Sequence, residues 1–337
     1  MAEEEKPAAL MLIDGELTAA GDGAWMESLN PADESVVGRF PAATASDVAR
    51  AVDAAERAFP AWAAKSARAR GQALREIAAR MRARAGEILR LEVMDTGNTI
   101  TKMRGDVESA ANALEFYAGL GTELKGETVP ASTDNLHLTL HEPYGVVGRI
   151  VPFNHPIKFA ANALAAPLMA GNAVVVKTPE QSPLSAGLLA EICRDVLPPG
   201  VANIVSGNGN PVGDAIVRDP RVKRIGFTGL VATGMTIQRA AAESAVKAVS
   251  LELGGKNPLI AFPDVHPDVI ADAAVAGMNF AWQGQSCGSM SRLLLHETHY
   301  RPVIERIVAT CTSRSRTGGS RTCAGNSEFC AVAMRNG

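Results

Sequence analysis

The sequence predicts an α/β protein built on a Rossmann-type parallel sheet with helices on both faces. Three observations carry this. From residue 145 onward short apolar runs alternate with helical stretches, the order that builds parallel sheets. The runs are apolar throughout, as at Val174–Val176, which suits strands buried on both sides. Glycine clusters recur where a strand run hands over to a helix run, at Gly207–Gly213 and Gly229–Gly234.

Taken in order, residues 46–60 read as a helix capped by Ser46, with Val48, Val52, Ala55 and Phe59 on one face. Residues 66–95 continue helically, with Leu74, Ile77, Met81, Ile88 and Leu91 inward and the arginines outward as a solvated face. A third helix spans about 104–118 and stops at Gly119 or Gly121. The period then changes: Leu136, Leu138 and Leu140 alternate with His137, Thr139 and His141, the mark of an exposed strand pair within 122–142. Expected strands follow at 146–151, 173–177, 202–205, 223–227, 247–251, 258–262 and 292–296. Expected helices lie at 158–170, 183–196, 211–218, 231–244, 267–281 and 299–309. Thr310–Gly337 has no Leu or Ile, a single acid (Glu328) and no period, and is expected to be disordered.

The chain has 337 residues, a formal charge of −3, 47% apolar and 20% charged residues, enough to bury two cores or three. That balance gives no electrostatic footing for nucleic acid or a membrane surface. Aromatic residues at 4% leave too few rings for a base-stacking platform. Phe159–Val176 is uncharged, but Asn162, Pro167, Gly171 and Asn172 interrupt it, so it reads as a buried helix, a turn and a buried strand. The acidic N-terminus leads into no apolar signal core. Five cysteines without a CxxC pair suggest a reducing, cytoplasmic setting and no metal site.

Five segments carry candidate chemistry. Gly207–Gly213 approaches a dinucleotide fingerprint with its last spacing one residue too long; a plain glycine-rich turn explains it equally. In Phe227-Thr228-Gly229 through Gly234 a strand again enters and a helix leaves, and free N–H groups at a helix start favour an anion. Lys177 and Glu180 close a strand where ribose hydroxyls can be gripped, although a surface ion pair looks the same in sequence. Glu252 ends an apolar run before Gly254 and Gly255; burial would raise its pKa toward that of a general base, whereas a strand-end acid facing water would do nothing. Cys287 lies between Gly284 and Gly288, exposed enough to react, and even the few per cent of thiolate present at pH 7 is a strong nucleophile.

Together these segments make the chain resemble the NAD(P)-dependent aldehyde dehydrogenase superfamily. The matching pieces are Val-Pro152-Phe153-Asn154-His-Pro, Val-Val-Lys177-Thr-Pro-Glu180, the Phe227–Gly234 turn, Leu-Glu252-Leu253-Gly-Gly-Lys-Asn-Pro and Gly-Gln-Ser-Cys287, in the family's order. The likeness runs from about Leu12 to Ala309. It implies a Rossmann-type cofactor domain with its helical part at 1–121 and its core at 143–253, and an oligomerisation strand pair at 122–142. It further implies an incomplete α/β catalytic domain at 254–309, and 310–337 reads as an aberrant tail.

It also implies roles. The Cys287 sulfur attacks the aldehyde, Asn154 and the Cys287 N–H hold the oxyanion, and Glu252 activates water to hydrolyse the thioester. Pro152, Phe153, Lys177, Glu180, Gly207, Phe227, Thr228, Gly229, Gly234 and Leu253 would line the cofactor. An acid at 180 suits a free 2′-hydroxyl, so NAD is expected over NADP. The substrate is expected to be a small-molecule aldehyde, and the family assembles as homodimers or homotetramers. Leu230 departs from the pattern, which has a small hydroxyl residue there. No Glu-x-Phe-Gly-Pro segment follows the cysteine, and the shift near Thr310 reads as a truncated gene or a changed reading frame. Poor solubility or low activity is the expected consequence. Two other readings compete: a nucleotide-binding pseudoenzyme without turnover, and a Cys/His acyl hydrolase using His155, for which no orienting residue stands out.

Overall fold

In the computed structural model the backbone is described for residues 8–317, and it divides into two compact units, Met1–Leu253 and Gly254–Gly337. The first unit opens with four short strands, β1 (Met11–Ile13), β2 (Glu16–Thr18), β3 (Trp25–Leu29) and β4 (Val36–Pro41). The segment 1–121 is therefore not wholly helical. These strands are three to six residues long, too short to show a period in sequence.

Four helices follow: α1 (Ala45–Ala63), α2 (Ala67–Ala83), α3 (Ala85–Thr96) and α4 (Ile100–Gly119). The cap of α1 is Thr44, not Ser46: the Thr44 hydroxyl accepts from the Asp47 N–H (3.3 Å) and the Thr44 N–H donates to the Asp47 carboxylate (2.8 Å), a reciprocal box. The run expected to be continuous over 66–95 breaks at Arg84, whose φ of −103° and ψ of 16° leave the helical region. Its arginines do face water in part. Arg82 pairs with Glu108 and Glu115, and Arg84 with Glu87 and Glu191. Arg70 is the exception: it is buried and its Nε donates to the Met169 carbonyl at 2.9 Å.

The pair β5 (Thr128–Ser132) and β6 (Asn135–Leu138) is antiparallel and exposed along its whole length, as the alternation predicts. Then come β7 (Val146–Ile150), α5 (Pro156–Met169), β8 (Ala173–Lys177), α6 (Leu184–Val196) and β9 (Ala202–Val205). A π-type turn (Gly209–Gly213) leads into α7 (Asp214–Arg218), followed by β10 (Val222–Gly229), α8 (Val231–Ser244) and β11 (Ala248–Leu253). The uncharged stretch at 159–176 is thus a buried helix, a turn at Gly171 and a buried strand. Among the described residues no helix is long and apolar enough to cross a membrane.

One seven-stranded sheet organises this unit, in the order β11-β10-β7-β8-β9-β1-β2. The five strands from β11 to β9 are parallel; β1 and β2 add antiparallel at the far edge. Apolar residues alternate between two cores. Val174, Val176, Ala202 and Ile204 pack with Leu74, Ile77, Leu114 and Leu164 on one face, while Val175, Val205, Ile225 and Phe227 pack with Val48, Val52 and Ile237 on the other. Burying both faces is what makes the strand sequences apolar throughout.

The second unit holds a parallel pair, β12 (Pro258–Ala261) and β13 (Arg292–Leu295), with α9 (Pro267–Gly277) and α10 (Tyr300–Thr317). Its core is Ala261, Ile270, Ala271, Val275, Val303 and Ile307. Helix α10 runs on through residues 310–317, where a structureless tail was expected; residues 318–337 lie outside the described residues. Thr310–Thr317 adds no large apolar side chain, but it prolongs a helix already anchored by Val303 and Ile307.

Candidate active site

Strands β7, β8 and β9 step outward in one direction, and the chain then returns to place β10 and β11 on the other side of β7. The order reverses between β7 and β10. In open parallel sheets the crevice outside the carboxyl ends at such a reversal is where ligands bind. All the predicted site residues of the first unit belong to this edge. Pro152, Phe153 and Asn154 leave β7, Lys177 and Glu180 leave β8, and Gly207 follows β9. Thr228 and Gly229 end β10, level with Glu252 and Leu253 at the end of β11, and Gly234 sits in the first turn of α8.

Lys177 is buried, and its Nζ donates to the Thr178 carbonyl and to Glu180 Oε2, both at 2.9 Å. Burial pulls the Lys177 ammonium below its ordinary value, with Glu180 opposing. Burial works to raise the half-buried Glu180 carboxyl, but the Lys177 charge and hydrogen bonds outweigh it and the net shift is downward. The pair is not the ordinary surface ion pair that the sequence left open. Its lysine is desolvated and its carboxylate partly accessible, which points the acceptor, not the cation, at solvent.

Helix α8 starts on Leu230, which offers no capping side chain and is 67% exposed. The first-turn N–H groups of α8 are therefore not satisfied by a cap, and they open toward the carboxyl edge. Gly234 has a packing reason to be glycine: a Cβ there would come within 3.0 Å of Leu253, so its absence lets α8 close on β11. Gly207 has a conformational reason, a φ of +121°. Phe227 is buried in the core with Ile225 and Val205, so its ring packs and only its backbone is left for a ligand.

Asn154 is half-buried in the turn joining β7 to α5. Asn98 Nδ2 donates to its carbonyl at 3.3 Å, and Ser182 Oγ donates to the carbonyl of Phe153 at 2.9 Å. The next residue, His155, is buried and has Nδ1 2.5 Å from Asp106 Oδ2. Glu252 is exposed, the strand-end acid facing water that the sequence left open against a buried base; it lies next to the last residue of β11, the first strand in the sheet order. Asn98, Asp106 and Glu92 escaped the sequence reading. For Glu92 and Asp106 the one signal is a polar residue set among inward apolar positions of α3 and α4; Asn98, between the helices, has none.

Cys287 belongs to the second unit, in the loop between a 3₁₀ turn (Phe280–Trp282) and β13. It is exposed, as its glycine flanks predict. Asn257 Nδ2 holds the loop by donating to the carbonyls of Cys287 (2.7 Å) and Ser289 (3.2 Å). Sequence reading assigned Asn257 no part in this. Among the described residues no group of three or more His, Cys, Asp or Glu side chains is placed to hold a metal.

Residues 18–325 match the aldehyde dehydrogenase family. The chain belongs to that family. The aldehyde dehydrogenase match continues past Ala309, where the sequence resemblance was expected to end. An aldehyde dehydrogenase from Talaromyces stipitatus, tropH, is 43% identical over 88% of this chain and 59% of its own length. Peroxisomal aminoaldehyde dehydrogenase 1 of Malus domestica is 39% identical over 90% of this chain and 62% of its own. Among solved aldehyde dehydrogenases, the NAD-dependent enzyme of Sinorhizobium meliloti superposes with a TM-score of 0.87 at 36% identity, over 91% of this chain and 62% of that one. The NAD+ complex of the Bacillus cereus enzyme gives 0.87 at 34%, over 92% and 63%. The chain thus spans about three-fifths of the length of the aldehyde dehydrogenases it matches.

Proposed function

We propose that the chain binds NAD along the carboxyl edge of its seven-stranded sheet and oxidises a small aldehyde to the acid through Cys287. The observation that carries the cofactor half is the Lys177–Glu180 pair at 2.9 Å beside the strand-order reversal, together with the uncapped start of α8. These fit a dinucleotide. Glu180, held by Lys177, accepts from ribose hydroxyls, and the α8 N–H groups and Gly229 face pyrophosphate. Pro152, Phe153, Gly207, Thr228 and Leu253 border that path. A carboxylate at the ribose position favours NAD, and NADP is the alternative cofactor.

When bound, NAD supplies the acceptor for the hydride that leaves the substrate carbon. The chain's own residues do the rest. The Cys287 sulfur, once deprotonated, adds to the aldehyde carbon and leaves a negative oxygen. Asn154 Nδ2–H and the Cys287 N–H donate to that oxygen, each such donor typically worth about 2.7–4 kcal/mol. The thioester that remains on Cys287 is opened by water, whose proton Glu252 takes. In this proposal residues 143–253 bind cofactor, 254–309 carry the nucleophile, and the strand pair of 122–142 joins copies of the chain as a dimer or tetramer. A reducing, cytoplasmic setting goes with a working thiol.

The second reading, an NAD-binding protein without turnover, is favoured by the exposure of Glu252. One experiment separates the two. Nicotinamide reduction is followed over a panel of aldehydes for the chain and for Cys287→Ser, with NAD affinity measured for both. Turnover lost by more than about 10³-fold in the variant, at unchanged NAD affinity, supports the thiolate reading. Binding without turnover in either protein supports the second, and equal turnover in both rejects the nucleophile.

A further inference from the structure

Helix α5 has an unusual start. Its N-cap is His155, at φ −141° and ψ 65°, with Pro156 at the first helical position. An N-cap side chain ordinarily accepts from the second or third N–H of its own helix. His155 does not, because its ring is drawn to Asp106 on α4, Nδ1 to Oδ2 at 2.5 Å. The N–H of Ile157 is satisfied instead from another helix, by Glu92 Oε1 of α3 at 3.2 Å. Asn98, between α3 and α4, closes the set on the carbonyl of Asn154.

Side chains of α3, α4 and the turn between them thus hold 154–157 at successive points: Asn98 the Asn154 carbonyl, Asp106 the His155 ring and Glu92 the Ile157 N–H. His155, Asp106 and Glu92 are all at least nine-tenths buried. Asp106 as a carboxylate has only acceptors, so the tautomer with hydrogen on Nδ1 donates to it. A bond of that kind, out of water, fixes the ring and with it the peptide that carries Asn154.

We propose that Asp106 acts through His155 as a positioning pair that keeps the side-chain amide of Asn154 in one orientation. This rests on the reading of Asn154 as the oxyanion donor. The pair does not touch substrate; it removes the freedom of the turn from which the donor projects, so that little reorganisation is left for the moment when charge develops.

The test exploits stereochemistry. In His155→Asn the side-chain NH2 occupies the place of Nδ1 and can still donate to Asp106; in His155→Gln it occupies the place of Nε2 and cannot. Both remove the ring. In the full chain labelled with 15N-asparagine, the Asn154 side-chain signal is identified by its loss in Asn154→Asp. His155→Gln is expected to shift and broaden that signal and to speed exchange of the Asn154 backbone amide by about tenfold or more, with His155→Asn within about twofold of the unmodified chain.

Equal behaviour of the two variants overturns the proposal. If neither folds, the unmodified chain decides. An order parameter of about 0.85 for the Asn154 side-chain amide is expected, and one below about 0.6 overturns the pair's role. Failure of the underlying reading shows separately, as turnover unchanged in Asn154→Ala.

Discussion

Glu92 lies on α3, wholly buried beside Asp95 and Asp106. Burial, with those neighbouring charges adding to it, pushes its carboxyl up to about 8 from an ordinary 4.5. Asp95 is pushed up to about 6 from 3.8, again by burial first, while the Ser28 hydroxyl and the Leu184 N–H bond it and oppose the rise. Raised carboxyls are stability statements with a definite sign. The folded chain keeps a proton that the unfolded chain releases above about 4.5, so the contribution of Glu92 is complete below that pH and is lost as the pH passes about 8. Denaturant midpoints are therefore expected to fall from pH 5 to pH 8.5 in the unmodified chain. Glu92→Gln, which retains an acceptor for Ile157, should flatten that decline by on the order of 2 kcal/mol. Parallel pH curves for the two proteins would count against a buried neutral acid.

At the scale of elements, the two helix starts on either side of the strand-order reversal contrast. Helix α5 borrows a cap from α3, whereas α8 begins on an exposed leucine that offers none. Leu230→Ser puts a hydroxyl where the first-turn N–H groups need an acceptor. It is expected to stabilise the protein by about 0.5–1 kcal/mol, visible as a higher thermal midpoint. A midpoint that drops would mean Leu230 has a packing role that its exposure does not reveal. Helix α1 already has the full arrangement, with Thr44 and Asp47 reciprocally bonded, and serves as the internal comparison.

Across the whole molecule, exposed apolar side chains recur on short strands of each unit taken by itself. On the β5–β6 pair Val129, Leu136 and Leu138 are about half to two-thirds exposed, and Leu140 just beyond is 76% exposed. In the second unit Ile260, Phe262 and Leu294 are also more than half exposed. Rows of this kind on short, uncovered strands favour association between chains. Replacing Leu136, Leu138 and Leu140 with threonine is expected to raise soluble yield and to lower the concentration-dependent rise in sedimentation coefficient, without changing the NAD affinity of the first unit. Unchanged self-association in that variant would place the sticky surface elsewhere.

Much of this was legible from residue order alone. The inner strands of the parallel sheet, such as β8 and β9, were found to within a residue or two because strands buried on both faces must be apolar throughout. The helices from α5 onward were found because turns and glycines punctuate them. The five short motifs led to the family because each depends on local order. What stayed hidden depends on partners distant in sequence. The strands β1–β4 are too short to carry a period and exist by pairing with each other or, for β1, with β9. The cap at Thr44 needed the backbone angle there, and the exposure of Glu252 needed β11 to be the edge of the sheet. Asp106, Glu92 and Asn98 gain their meaning only when α3 and α4 pack under the turn at 154–157. A hydrogen bond across 49 residues leaves no mark in either segment, since contact in space is set by packing and not by spacing along the chain.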